Sequence, residues 1–215
     1  MNWTLIGLNI IIFFLVAGID MEKLQLLILY FGIVPENFRV LLIHGMTENL
    51  GLAGLTLITS QFLHGGLGHL IGNMWTLYIF GDNVEERMGS WGYLIFYLLC
   101  GVIAGLTHVF INPDSAVPTI GASGAISGVM GAYLFLFPKS KVVFLIPWFV
   151  PIVFIPSIFY LALWFLGQSL GGSWQVLTSE TGGVAFWAHI GGFIGGILIH
   201  WIFVLGNRLR TKVKF

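Results

Sequence analysis

Ser123 stands in the run Gly121-Ala122-Ser123-Gly124-Ala125, with Ser127 one helical turn further on. His189 stands in Trp187-Ala188-His189-Ile190-Gly191-Gly192. A serine hydroxyl is a weak nucleophile until a base takes its proton during attack, and a neutral imidazole suits that task. The tetrahedral intermediate that follows needs donors aimed at its oxyanion. His69 and Asn73 are candidate donors: they are four residues apart and so share one face of any helix that carries them. The backbone N–H of Ser123 is a third. The chemistry these residue types can do together is acyl transfer, with Ser123 as nucleophile and His189 as base.

The elements that must position them are written in the composition. Of 215 residues, 57% are apolar or aromatic, 29 more are Gly, and only 8% are charged. Soluble domains carry about 25% charged residues, so this chain's solvent is mostly lipid. Nine Lys and Arg balance nine Asp and Glu, which leaves nucleic-acid binding without an electrostatic basis. Cys100 is the single cysteine, so no intrachain disulfide is possible. No Lys/Arg n-region precedes the first apolar stretch and no small-residue cleavage site follows it, which makes it a retained anchor on sequence grounds.

A membrane-crossing helix needs about 20 mostly apolar residues. Six such spans are predicted. The first is Trp3–Ile19, and the second runs from near Gly66 to the polar cluster Asp82–Arg87. The third runs from Trp91 to about Ile111, and the fourth is Thr119–Phe137, bracketed by Pro118 and Pro138. The fifth lies inside Val142–Leu170, where Pro147, Pro151 and Pro156 predict an extended or broken lead-in and a helix from about Ile152. The sixth is Val184–Gly206. Six spans put both termini on one side, and the basic residues say which. Arg87, Lys139, Lys141, Arg208, Arg210, Lys212 and Lys214 fall on that side, against only Lys23 and Arg39 opposite, so both termini are predicted to be cytoplasmic. The connection Asp20–Gly65 becomes a 46-residue outer loop, whose apolar stretches Leu24–Phe31 and Val40–Ile43 suit the outer interface.

On this layout spans two, four and six all run inward. Each places its polar group within about two turns of the outer end, roughly 5–10 Å down by helix rise. Gly124, Gly128 and Gly131 make a small-residue stripe on the fourth span, and Gly191/Gly195 with Gly192/Gly196 make two on the sixth. Such stripes let backbones approach closely, so a fourth–sixth contact brings His189 within reach of Ser123. No Asp or Glu lies at that depth, which predicts a Ser–His dyad and not a triad. Each feature alone has a plainer reading: helix packing for the Gly-Ala-Ser-Gly run, interhelical bonding or proton relay for a lone His, helix glue for Asn73, a solvated turn for Glu85-Glu86-Arg87. Their common depth is what favours chemistry.

The same residues resemble the rhomboid intramembrane serine proteases, over most of the chain from about Phe31 to Ile199. Gly121-Ala122-Ser123-Gly124 is similar to that family's GxSG nucleophile motif, and Ala188-His189 with Gly191-Gly192 to its sixth-span base motif. His64-Gly65-Gly66-Leu67-Gly68-His69-Leu70-Ile71-Gly72-Asn73 resembles its second-span stretch, and Glu85-Glu86-Arg87 its structural ExR signature. The resemblance implies cleavage of other proteins' transmembrane segments near their outer end, a cavity open to external water, and substrate entry near spans two and five. One position departs. A tyrosine one turn after the nucleophile often packs on the base in this family, and Ser127 stands there, so the resemblance names no orienting residue.

The expectation is an all-α membrane protein: residues 1–215 form one six-transmembrane-helix rhomboid-like bundle in the cytoplasmic (plasma) membrane. Ser123 and His189 are catalytic; His69, Asn73 and the Ser123 amide stabilise the oxyanion. No cofactor or metal is expected, since His64 and His69 lack a third ligand at suitable spacing. Its partners are transmembrane protein substrates and membrane lipid, and no oligomeric state follows. Two rivals compete: a non-catalytic rhomboid-like binding or quality-control factor, and a channel or proton-coupled transporter relaying through His69 and His189.

Overall fold

Two apolar runs give the longest strongly hydrophobic helices, α6 (Ser90–Ile111) and α9 (Phe186–Leu205). The computed structural model describes residues 1–45, 47–146, 150–178 and 184–205. Pro147, Gly206, Arg208, Arg210, Lys212 and Lys214, which entered the span and orientation readings, lie outside the described residues. Ser90–Ile111 and Phe186–Val204 are each long and apolar enough to cross a bilayer. Four further helices overlap the expected spans: α1 (Asn2–Val16), α5 (Leu67–Met88), α7 (Ser123–Leu136) and α8 (Ser157–Thr178), the last running on past the expected Leu170 bound. Of these, α1 and α7 are short, at 15 and 14 residues.

The centre of the fold is α7. Every residue from Gly124 to Tyr133 is buried, enclosed by α5, α6 and α9. The glycine stripes decide how closely. A Cβ on Gly192 would overlap the Gly124 carbonyl, and one on Gly196 would overlap the Gly128 backbone. Backbone therefore lies on backbone between α7 and α9, as the stripes predict. The second stripe faces elsewhere: Gly191 sits against Thr107 and Gly195 against Ile103, both on α6.

Three local expectations are corrected. First, α7 begins at Ser123, four residues after the Thr119 start read from the prolines. Thr119 is extended there, exchanging backbone hydrogen bonds with Ile33 at 2.8 and 3.0 Å. Gly121 then takes φ +126°, a conformation side chains other than glycine rarely adopt. Second, the proline-rich lead-in to the fifth helix is extended, as one of the two expected readings had it, and pairs antiparallel as β1 (Lys141–Ile146) with β2 (Val150–Pro156), but α8 starts at Ser157 and not near Ile152. Third, residues 20–65 are not a loop in the ordinary sense. They fold into α2 (Met21–Phe31), α3 (Pro35–Ile43) and α4 (Thr47–Thr59), then a 3-10 turn at Ser60–Phe62. Arg39 pairs with Asp114 at 3.0 Å, which ties α3 to the segment after α6.

Glu85 is also more than part of a solvated turn. Its carboxylate accepts hydrogen bonds from the Asn2 backbone N–H at 2.6 Å and the Ser90 hydroxyl at 2.5 Å. The Asn2 side chain is in turn held by Tyr93, whose hydroxyl donates to it at 2.8 Å. Charge-assisted bonds of this kind lock the starts of α1 and α6 to the end of α5.

Candidate active site

The helix starts do the positioning. Ser123 is the first residue of α7, His189 the fourth of α9, and His69 and Asn73 the third and seventh of α5. All four lie within two turns of a helix N-terminus. They line one cavity of about 430 Å³. Ser123 Oγ lies 2.8 Å from His189 Nε2, within hydrogen-bond reach. Because Ser123 opens its helix, its N–H and the next ones have no intrahelical acceptor and point out of the helix end. A developing negative charge there also meets the favourable end of the helix dipole.

His69 and Asn73 converge on the turn just before the serine. A Cβ on Gly121 would lie 2.7 Å from His69 Cε1 and 3.7 Å from Asn73 Nδ2. No hydrogen bond joins either residue to Ser123 itself among those described; both face the cavity beside it. Asn73 is held by a neighbour: its Nδ2 lies 3.0 Å from His64 Nε2. Burial, helped by the nearby His69, pushes the His64 imidazole down to about 4, so it is neutral at pH 7 and offers that nitrogen as an acceptor. One amide N–H of Asn73 is thereby fixed, and the other remains for the cavity.

The geometry around Gly121 has a direct consequence. Gly121→Ala adds a methyl group against the His69 ring on a backbone already at positive φ. Any activity of the site is expected to fall roughly 10- to 100-fold, since displacements near 1 Å cost about that much. Thermal unfolding should show the folded protein retained. Unchanged activity would place His69 and this turn outside the chemistry.

Sequence reasoning missed two residues, both on α8. Gln168 Oε1 lies 2.7 Å from His189 Nδ1, and the Trp164 ring lies 6.1 Å from the His189 ring at an interplanar angle of 34°. Ser127, at the position of the absent tyrosine, donates its hydroxyl to the Ser123 carbonyl at 2.6 Å and does not support the histidine. The signal for Gln168 was available: a polar side chain in the middle of an apolar span is costly and calls for a partner.

Serine and histidine thus meet at the N-terminal ends of two helices that pack backbone to backbone through their glycines. Residues 52–206 match the family described as Rhomboid domain, and the chain belongs to the rhomboid family of integral membrane proteins. It is 32% identical to rhomboid protease GluP of Bacillus subtilis over 163 residues, covering 74% of this chain and 29% of that protein. With the putative rhomboid protease YdcA of the same organism it shares 34% over 117 residues, 53% of this chain and 58% of YdcA. With rhomboid-like protein 11, chloroplastic, of Arabidopsis thaliana it shares 43% over 72 residues, 34% of this chain and 25% of that protein. The chain thus spans between a quarter and somewhat over half the length of these relatives.

Proposed function

We propose that the chain is an intramembrane serine protease that hydrolyses peptide bonds in or near transmembrane segments of other membrane proteins. The observation that carries this is the 2.8 Å approach of Ser123 Oγ to His189 Nε2, at a helix start that faces a cavity. Ser123 Oγ attacks the peptide carbonyl carbon while its proton passes to His189 Nε2. His69, the free N–H of Asn73 and the Ser123 amide hold the oxyanion. The intermediate collapses as His189 gives its proton to the leaving amine, which leaves an acyl ester on Ser123. Water then attacks the ester, its proton passes to His189 and on to Ser123, and the second product departs.

The membrane setting we propose has six spans, α1 and α5 to α9, with both termini cytoplasmic in the plasma membrane and the cavity open outward. The length of α7 supports it. Fourteen residues rise about 21 Å, short of the roughly 30 Å hydrocarbon core. If its C-terminal end reaches the cytoplasmic side, Ser123 lies about 9 Å below the outer surface, where water can enter only through the cavity. The names of the bacterial relatives, one a rhomboid protease and one a putative rhomboid protease, support the reaction class.

Substrate helices must unwind before their carbonyl carbons can be attacked, so Gly and Pro near the scissile bond should help. Purified protein in liposomes with a single-span reporter tests this. Wild type is expected to cleave a Gly-Pro reporter about tenfold or more faster than one in which those residues are Leu and Ala, from about 1–3 kcal/mol of helix propensity. Equal rates would overturn the unwinding step. No cleavage of any reporter would leave a rhomboid-like binding protein without chemistry.

A further inference from the structure

We infer that Gln168 is the positioning residue of this site: it holds the His189 ring in the tautomer and orientation that lets it act on Ser123. The inference rests on the protease function proposed above and adds a residue to it. Four observations converge. Gln168 Oε1 lies 2.7 Å from His189 Nδ1, a short bond for a neutral pair. The other ring nitrogen, Nε2, faces Ser123 Oγ at 2.8 Å, so the imidazole is gripped at both ends. Ser127, one turn after Ser123 on α7, is engaged with the Ser123 carbonyl and makes no hydrogen bond to the ring among those described. Trp164 stands one turn before Gln168, on the same face of α8, and flanks the same ring.

The chemistry follows from the donor inventory. An amide oxygen only accepts, so Nδ1 carries the hydrogen and Nε2 of the neutral ring keeps its lone pair. That lone pair is what must receive the serine proton. With the opposite tautomer Nε2–H would point at Ser123 and no proton could be taken. After transfer the ring holds hydrogens on both nitrogens, and the Gln168 dipole already faces the one on Nδ1. No group is consumed and Gln168 exchanges no proton. A carboxylate would do the same with added charge. At this depth a neutral amide avoids the cost of a buried anion.

Gln168→Leu keeps the size and removes the acceptor, whereas Gln168→Glu restores an acceptor oxygen at the same reach. We expect Gln168→Leu to lower kcat roughly 10- to 100-fold with KM little changed, a part of the ~10²–10⁴ that a well-placed base supplies. Gln168→Glu should recover most of it. Nitrogen NMR of protein labelled in histidine, with the His189 signals assigned from the His189→Ala spectrum, reads the tautomer without any substrate. Wild type should show the hydrogen on Nδ1, and Gln168→Leu should show a mixture. A wild-type hydrogen on Nε2, or Gln168→Leu at wild-type kcat beside an active wild type, would overturn the positioning role alone. A wild type that cleaves nothing would overturn the protease function and with it the part Gln168 plays in it, while the spectrum still decides whether the bond exists.

Discussion

Ser123→Ala and His189→Ala should each lower cleavage of a membrane-spanning reporter by about 10⁴-fold or more, with the protein still folded. Nucleophile and base act as one unit, so the double variant should fall no further than either single one. The loss should sit in kcat, because neither side chain contributes much to holding the substrate's apolar length. The 2.8 Å contact between them is made by side chains on two different helices. Either truncation therefore leaves the backbone packing untouched. Cleavage rates in liposomes with matched thermal unfolding curves check this. Additive losses in the double variant would mean the two residues work in separate steps.

Gly196→Ala carries the second large effect, on stability. Its new methyl group would overlap the Gly128 carbonyl, carbonyl carbon and Cα, all backbone atoms of a helix that cannot rotate aside. α9 must then move off α7, and with it His189 off Ser123. Overpacking of this kind costs about 1–3 kcal/mol, and the absence of any flexible neighbour puts this site near the upper end. Gly7→Ala on α1 is the matched control, because nothing lies within 4 Å of its Cβ position. There a helix-favouring residue should be neutral or stabilising by up to about 1 kcal/mol. Unfolding in detergent measures both. A Gly196→Ala protein as stable as wild type would mean that the α7–α9 backbone contact is not close in solution.

The parts of this molecule legible in the sequence are those set by one strong local signal. Hydrophobic run length placed α6 to within a residue at its start, Trp91 expected against Ser90 found, and its end at Ile111. Glycine spacing gave the α7–α9 contact, since small residues in register have few other uses. Ser123, His189, His69 and Asn73 share one cavity, which polar side chains at common depth had suggested. What was not legible depends on partners distant in the chain. The start of α7 is set by Ile33, which draws Thr119 into an extended pair, and Pro118 alone cannot report that. The hairpin before α8 hides in prolines that equally suit a broken helix. Glu85 looks like a solvated charge until Asn2 and Ser90 are brought to it. For Gln168 the sequence offered only a polar side chain inside an apolar run, which calls for a partner without naming it; the partner is His189.

Labelling by a fluorophosphonate probe tests the activated serine most directly, since such probes react with a serine hydroxyl only where a base takes its proton. Detergent-solubilised wild type should be labelled at Ser123, and Ser123→Ala and His189→Ala should both stay dark. A dark wild type that also cleaves no membrane-spanning reporter, or a His189→Ala protein labelled as strongly as wild type, would contradict the Ser123–His189 chemistry.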